Sequence, residues 1–77
     1  MFNIGDKIKV IASAVDAELA EWKGSQVYEN LMKAAVEKRF EVVGMDNVNY
    51  SIKRLEDGQI IQENKTTVNT KFEKASD

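Results

Sequence analysis

The chain of 77 residues contains no cysteine, no histidine and no proline. Without cysteine it has no disulfides, thiolate metal ligands or thiol nucleophile, and a small domain that folds without disulfides is more typical of a reducing cytoplasm. Without histidine it lacks the commonest transition-metal ligand and the usual acid–base group at neutral pH. Without proline, no helix is stopped by a ring and no turn is preset by one. These absences remove most of the side-chain chemistry that enzymes and transition-metal sites use.

The chain also has neither a strong net charge nor a long apolar run. Its net charge is -2, whereas strong non-specific binding to nucleic acid usually requires a basic stripe. No apolar run approaches the roughly 18 residues of a membrane span, and the opening residues, with Asn3 and Asp6 among them, are unlike a signal peptide. We therefore expect a cytoplasmic protein that does not enter a membrane.

Four carboxylates lie close together in the first part of the sequence: Asp6, Asp16, Glu18 and Glu21. A catalytic pair of carboxylates requires a shared pocket and separated pKa values, and the pattern indicates neither. The spacing of a calcium-binding loop is also absent. We therefore expect no enzymatic activity, no bound metal and no cofactor.

The composition is that of an ordinary globular domain, with an apolar fraction of 43% and a charged fraction of 31%. A chain of this length supports only one hydrophobic core. We therefore expect residues 1–77 to form a single domain.

The opening stretch, residues 2–11, alternates between apolar and polar side chains. Phe2, Ile4, Ile8 and Val10 share one parity, and a strand places residues of one parity on one face. The Gly-Asp pair at residues 5–6 indicates a bend, because glycine and aspartate both favour turn geometry. The pattern predicts a strand over residues 7–11.

The period then changes to that of a helix. Ser13 to Asp16 has the spacing of a capping box, and Val15, Leu19 and Trp22 follow as one apolar stripe. Gly24 follows at the position where a residue in the left-handed backbone conformation commonly ends a helix. These signals predict a first, short helix.

A second helix is predicted from about residue 26 to residue 38, with Ser25 as its N-cap. Its apolar face consists of Val27, Leu31, Met32, Ala35 and Val36. That face is either buried by the first helix and the strands, or partly exposed for another chain to cover, since exposed apolar patches mark interaction sites.

The alternating period returns at residue 40 and continues to the end of the chain. Strands are predicted at 40–45, 48–55, 59–63 and 70–74, and residues 75–77 are predicted to fray. Asp46-Asn47 indicates a turn after the first of these strands, and Asp57-Gly58 is a strong hairpin signal. The polar stretch 64–69 is predicted to be a turn.

The segments IGDKIKVI, FEVVGM, NYSIKRL, QIIQE, TTVN and KFEKA, in this order, resemble the strands and last turn of the SH3-like barrel superfamily, which includes KOW and Tudor domains. The resemblance implies an α+β, mainly β fold: a five-stranded SH3-like barrel with a helical insertion between strands 1 and 2, at about residues 14–39. The chain is also similar to small barrel proteins of large-genome bacteriophages. Those often combine such a first strand with a tryptophan-containing insertion and a Phe-Glu pair near the C-terminus.

From these features we expect a non-catalytic protein-binding module, and the resemblance implies a phage-encoded accessory factor that acts on a host or viral protein in the host cytoplasm. Trp22 and Tyr28 are the candidate partner-binding residues, because tryptophan is enriched at binding hot spots and Tyr28 is displaced from the apolar face of its helix. Packing within the domain is the alternative for both. A homodimer through the helical insertion is a further possibility.

Nucleic-acid binding is the alternative function. Lys7, Lys9, Lys53 and Arg54 form a small basic patch if the first and third strands are close together. Lysine on strands also serves as a solvated residue that blocks edge pairing, and this is the simpler interpretation.

Overall fold

The computed structural model describes residues 1–75, which form an α+β fold with five antiparallel strands and three helices. The elements in chain order are β1 (Lys7–Val10), α1 (Ala12–Glu18), a 3-10 turn (Ala20–Trp22), α2 (Gln26–Glu37), β2 (Phe40–Met45), β3 (Asn49–Arg54), β4 (Ile60–Asn64), α3 (Lys65–Lys71) and β5 (Phe72–Lys74). Helices and strands occupy similar lengths of chain, so the fold is α+β rather than mainly β. The frayed tail predicted from residue 75 includes residues 76 and 77, which lie outside the described residues.

The strands form one sheet in the order β4-β3-β2-β1-β5, and all neighbours are antiparallel. Ile8 in β1 is opposite Phe40 in β2, and Val10 is opposite Phe72 in β5. The alternating patterns predicted all five strands, with ends that differ from the structure by no more than two residues. The predicted insertion between the first two strands is also present, as α1, the 3-10 turn and α2.

The hydrophobic core lies on one face of this sheet. Its buried members come from alternate positions along the strands, together with one residue before β1 and one in α3: Phe2, Ile8, Phe40, Val42, Tyr50, Ile52 and Val68. The ring of Phe40 meets that of Phe72 edge to face, with centroids 5.5 Å apart. Tyr50 is fully buried.

The start of α1 corrects one detail of the sequence interpretation. Ser13 lies inside the helix, Ile11 occupies the N-cap position, and no side chain caps α1. The predicted capping box is therefore wrong. The helix begins directly after β1, where the N–H groups of Ala14 and Val15 both bond to the carbonyl of Ile11.

The boundary between α1 and α2 follows the sequence closely. Gly24 has a φ of 85°, a left-handed conformation that a side chain would strain, and it separates the 3-10 turn from α2. Ser25 is the N-cap of α2, and its hydroxyl oxygen accepts a hydrogen bond of 3.1 Å from the N–H of Tyr28. The predicted cap and break are confirmed.

Helix α3 is the element that the sequence analysis missed. The stretch KTTVNTK contains three threonines and an asparagine, which have modest helix propensity, and its polar sequence favours a turn. The structure forms a helix there because Val68 is completely buried in the core and Asn64 caps the first turn by accepting from the N–H of Thr66 at 2.8 Å. Burial of one apolar residue thus overrides weak local preference.

The carboxylate of Asp46 organises the tight turn between β2 and β3. Asp46 accepts hydrogen bonds from the N–H groups of Val48 and Asn49, at 2.9 and 2.7 Å. These bonds lower the pKa of Asp46. The turns predicted at Asp46-Asn47 and at Asp57-Gly58 both join neighbouring antiparallel strands of the sheet.

Candidate interaction surface

The helical insertion carries three large apolar side chains that the domain leaves exposed. Trp22 is 47% exposed, Val27 49% and Leu31 44%, and α2 has no fully buried residue. Of the two alternatives for the apolar face of α2, complete burial and partial exposure, the structure therefore shows partial exposure. Met32, Ala35 and Val36 are half-buried, so the helix packs along one side of its apolar surface and leaves the other side open.

An open groove of about 320 Å³ lies between α1, α2 and the end of β1. Its apolar lining comes from one stripe on each helix and from the strand: Val10, Val15, Leu19, Leu31, Ala34 and Ala35. Glu18 and Lys38 complete the lining, and Glu18 also binds Lys71 of α3, with 2.7 Å between Oε1 and Nζ. The groove is thus a mainly apolar depression with charged residues among its lining.

Trp22 is exposed because the first helix does not continue to it. The α-helix ends at Glu18, and Trp22 lies in the 3-10 turn that follows. A 3-10 turn has three residues per turn rather than 3.6, so the apolar stripe of Val15 and Leu19 does not extend regularly to Trp22. Trp22 therefore packs only partly against the domain, and much of its indole ring is exposed to solvent.

Tyr28 is engaged within the insertion. Its hydroxyl donates a hydrogen bond to Oδ1 of Asp16, and Lys23 lies 3.0 Å from Oδ2 of the same carboxylate. The hydrogen bond from Tyr28 and the interaction with Lys23 lower the pKa of Asp16, while the bond to Asp16 raises the pKa of Tyr28. Tyr28 therefore links α2 to α1, with its ring half-buried.

A second, wider depression of about 620 Å³ lies between the end of α2 and the β3–β4 turn. Its lining mixes cations and anions with two apolar residues: Ala34, Glu37, Lys38, Arg39, Leu55 and Glu56. This mixed charge gives no consistent sign for a ligand, so the apolar groove that Leu31 lines is the stronger candidate site.

The four basic residues proposed for nucleic-acid contact do not form one patch. The register places Lys7, Glu41 and Lys53 side by side across β1, β2 and β3, so a carboxylate separates the two lysines. Arg54 is opposite Phe40 in the register and lies on the other face of the sheet. The structure brings Lys7 and Lys53 into one row and separates Arg54 from both.

Three of these four basic side chains also have a carboxylate partner. The pairs are Lys7–Glu41 at 3.5 Å, Lys9–Glu73 at 3.8 Å and Arg54–Asp57 at 2.7 Å. The Arg54 pair is bidentate, and it raises the pKa of Arg54 and lowers that of Asp57 to about 2. A phosphate would have to compete with a carboxylate at each of these three positions.

Residues 1–75 contain no group of three or more acidic side chains placed to hold a metal ion. None of the helices in the same range has both the length and the apolar character that crossing a membrane requires. Comparisons of the chain with protein-family models, with curated proteins and with solved structures gave no match.

Proposed function

We propose that this protein is a non-catalytic protein-binding module whose partner covers the exposed side of the helical insertion. The observation that carries the proposal is the exposure of three large apolar side chains on that insertion, Trp22, Val27 and Leu31, each close to half exposed. Large apolar side chains that remain exposed to water favour association, and tryptophan contributes strongly at the centres of interfaces.

The charges favour a protein partner over a nucleic acid. The net charge is -2, and three of the four candidate basic side chains are paired with carboxylates. A nucleic-acid interface depends on lysine and arginine that are available to phosphates. Binding of nucleic acid through Lys7, Lys9, Lys53 and Arg54 therefore stays as the alternative, which the experiment below also tests.

The wider setting follows from the resemblance to small phage proteins. We propose that the sheet curls into an SH3-like barrel, which the number of strands, their order and the helical insertion after β1 support. In that setting, the protein acts as a phage-encoded accessory factor in the host cytoplasm, and the insertion is the part that distinguishes it from a plain barrel.

The test is capture of partners from a nuclease-treated bacterial lysate on immobilised protein, quantified by mass spectrometry. The variant is Trp22→Ala with Leu31→Ser, because Tyr28 supports the insertion and its removal would disturb the fold. The matched control is Ile4→Ser with Val48→Ser, which removes two apolar side chains that are 63% and 59% exposed outside the helices.

We expect the captured proteins to be lost with the helical variant and retained with the control. Equal capture by both variants, each shown to be folded by circular dichroism, would contradict the proposal. Retention on heparin at low salt that Lys7→Gln and Lys9→Gln abolish would favour the nucleic-acid alternative instead. Light scattering on wild type and on Leu31→Ser shows whether a second copy of the chain is what occupies the groove.

A further inference from the structure

Strand β4 forms one edge of the sheet, and it is unusually open. All five of its residues, Ile60–Asn64, are exposed, including Ile60 at 59% and Ile61 at 38%. Helix α2 packs on β1, which is separated from β4 by two strands. This edge is thus distinct from the groove of the proposed function.

The hydrogen bonds on either side of β4 show which backbone groups point outward. The N–H of Arg54 bonds to the carbonyl of Gln59 at 2.8 Å, and the N–H of Lys65 bonds to the carbonyl of Val48 at 2.8 Å. Hydrogen-bonded and non-hydrogen-bonded pairs alternate along an antiparallel ladder. The backbone N–H and C=O groups of the odd-numbered residues in β4 therefore point toward β3. The backbone groups of Ile60 and Gln62 therefore face away from the sheet.

A row of apolar side chains in the core ends abruptly at this edge. Val42 in β2 is opposite Ile52 in β3, which is opposite Ile61 in β4. The first two are completely buried, whereas Ile61, on the same face, is 38% exposed. Nothing within residues 1–75 continues the row beyond Ile61, because β4 is the last strand on that side.

The opposite edge of the sheet is protected in ways that β4 is not. Strand β5 has only three residues, and two of them, Glu73 and Lys74, are charged. Short edge strands and edge lysines discourage pairing with another chain. Strand β4 has five residues, with neither lysine nor proline, and Glu63 is its only charge.

We propose that a second copy of this chain pairs with β4 antiparallel about a two-fold axis, with Ile61 opposite Ile61 of the partner subunit. In this register Ile60 and Gln62 form hydrogen-bonded pairs with the partner's Gln62 and Ile60, which gives four main-chain bonds from groups that already point outward. The apolar row then continues through both copies, from Ile52 and Ile61 to the same residues of the second chain.

The neighbouring register is disfavoured by helix α3. Shifting the pairing by one residue in each strand, toward the end of β4 where α3 begins, would place Ile60 opposite the partner's Asn64. Asn64 is the N-cap of α3, and the carbonyl of an N-cap residue already accepts the first bond of its helix. In that register the N–H of Ile60 would therefore have to share its acceptor with the first hydrogen bond of α3.

The polar groups beside Ile61 also fit a second copy. In the proposed register Gln59 is opposite the partner's Glu63. Oε1 of Gln59 accepts a hydrogen bond of 2.6 Å from Nη2 of Arg54, so its amide group presents Nε2 as a donor. A carboxylate opposite Gln59 can accept a hydrogen bond from Nε2 and lies near the positive charge of Arg54. The position of the partner's Glu63 in this register is therefore electrostatically favourable.

Single-cysteine variants test the register directly, because the chain has no cysteine of its own. Residues of a non-hydrogen-bonded pair have Cα atoms about 4.5 Å apart, within the range of disulfides. We expect Ile61→Cys to form a disulfide-linked dimer under mild oxidation on the order of tenfold faster than Ile60→Cys, Gln62→Cys or Val27→Cys. The last variant reports contact through the helical insertion.

Light scattering provides the second measurement, with Gln62→Pro as the variant. Proline at this position removes only an N–H that points away from β3, so the domain itself keeps its fold. We expect wild type at high concentration to approach twice the monomer mass of 8.7 kDa, and Gln62→Pro to remain at 8.7 kDa with an unchanged melting curve.

The proposal is overturned if wild type stays monomeric at millimolar concentration, or if cross-linking is equally fast at all four positions. It is also overturned if Leu31→Ser abolishes the dimer and Gln62→Pro does not, since the contact would then lie on the helical insertion. Loss of partner capture with Trp22→Ala is independent of all these outcomes.

Discussion

The backbone N–H of Phe2 donates a hydrogen bond of 3.2 Å to the hydroxyl of Tyr50, which lies 48 residues further along the chain. The two rings also pack against each other, with centroids 6.1 Å apart. The same hydroxyl donates to Oδ1 of Asn69 in α3, at 3.3 Å. One buried tyrosine thus joins the segment before β1, the centre of the sheet and the last helix.

Tyr50→Phe should destabilise the protein by about 1–2 kcal/mol, because the ring stays in place while the buried N–H of Phe2 loses its acceptor. Urea unfolding followed by circular dichroism measures the change. Tyr28→Phe is the control, since it loses the hydrogen bond to Asp16 at a half-buried site but leaves no buried backbone N–H without an acceptor, and its effect should be smaller. Equal effects of the two variants would show that burial of the Phe2 N–H is unimportant.

Val68→Ala tests the contribution of α3, the helix with the weakest sequence signal. Val68 is completely buried, so the loss of two methyl groups and the resulting cavity should cost about 2 kcal/mol. Val27→Ala removes the same atoms from a residue that is 49% exposed and should cost much less. Denaturant unfolding of both variants provides the comparison, and a negligible effect at Val68 would contradict the packing described for α3.

The strands could be predicted from sequence because their signal is local. The apolar parity of residues 40–45 and 48–55 is the same parity that the sheet buries, so Val42, Tyr50 and Ile52 were predictable core residues. The exposure of Ile60 and Ile61 was not predictable in this way. It depends on β4 being an edge strand, and strand order is a property of the whole sheet.

The candidate surface was only partly predictable for a similar reason. Trp22 was a candidate because of its residue type, but its exposure results from the change from α-helix to 3-10 turn after Glu18. Tyr28 was a candidate by its position on the helix, and the structure shows its hydroxyl bound to Asp16. Leu31 carried no separate signal, because a leucine on an apolar helix face is usually buried.

Ser13 was predicted to cap α1 but lies inside that helix, whereas Ser25 caps α2 in the structure. Alanine substitutions at the two serines should therefore have different effects on stability. Ser25→Ala should destabilise the protein by about 1 kcal/mol, because it removes the acceptor for the N–H of Tyr28. Ser13→Ala should be neutral or slightly stabilising, since Ser13 lies inside α1 and alanine has the higher helix propensity. Thermal melts of both variants test this, and the reverse order would contradict the helix start at Ala12.

The Asp57 carboxylate should make stability depend on pH in the acid range. Arg54 and the N–H of Gln59 lower its pKa from an ordinary value near 3.8 to about 2. A group whose pKa is lower in the folded state stabilises the fold above its unfolded pKa, and this stabilisation is lost as the pH falls through the folded value. The contribution of Asp57 should therefore disappear between about pH 4 and pH 2.

Melting temperatures of wild type and Asp57→Asn across this range measure the effect. The variant should be less stable than wild type at pH 5, and the difference should shrink as the pH approaches 2. A constant difference between Asp57→Asn and wild type would contradict the role of the ionised pair with Arg54.

The fluorescence of Trp22 tests most directly whether the helical insertion is the binding surface, because it is the only tryptophan in the chain. We predict that acrylamide readily quenches the fluorescence of Trp22 in the free protein. When the protein is saturated with a captured partner that lacks tryptophan, the emission of Trp22 should shift to shorter wavelength, and acrylamide should quench it less. A complex that forms fully while the emission and the quenching of Trp22 stay unchanged would contradict the proposed surface.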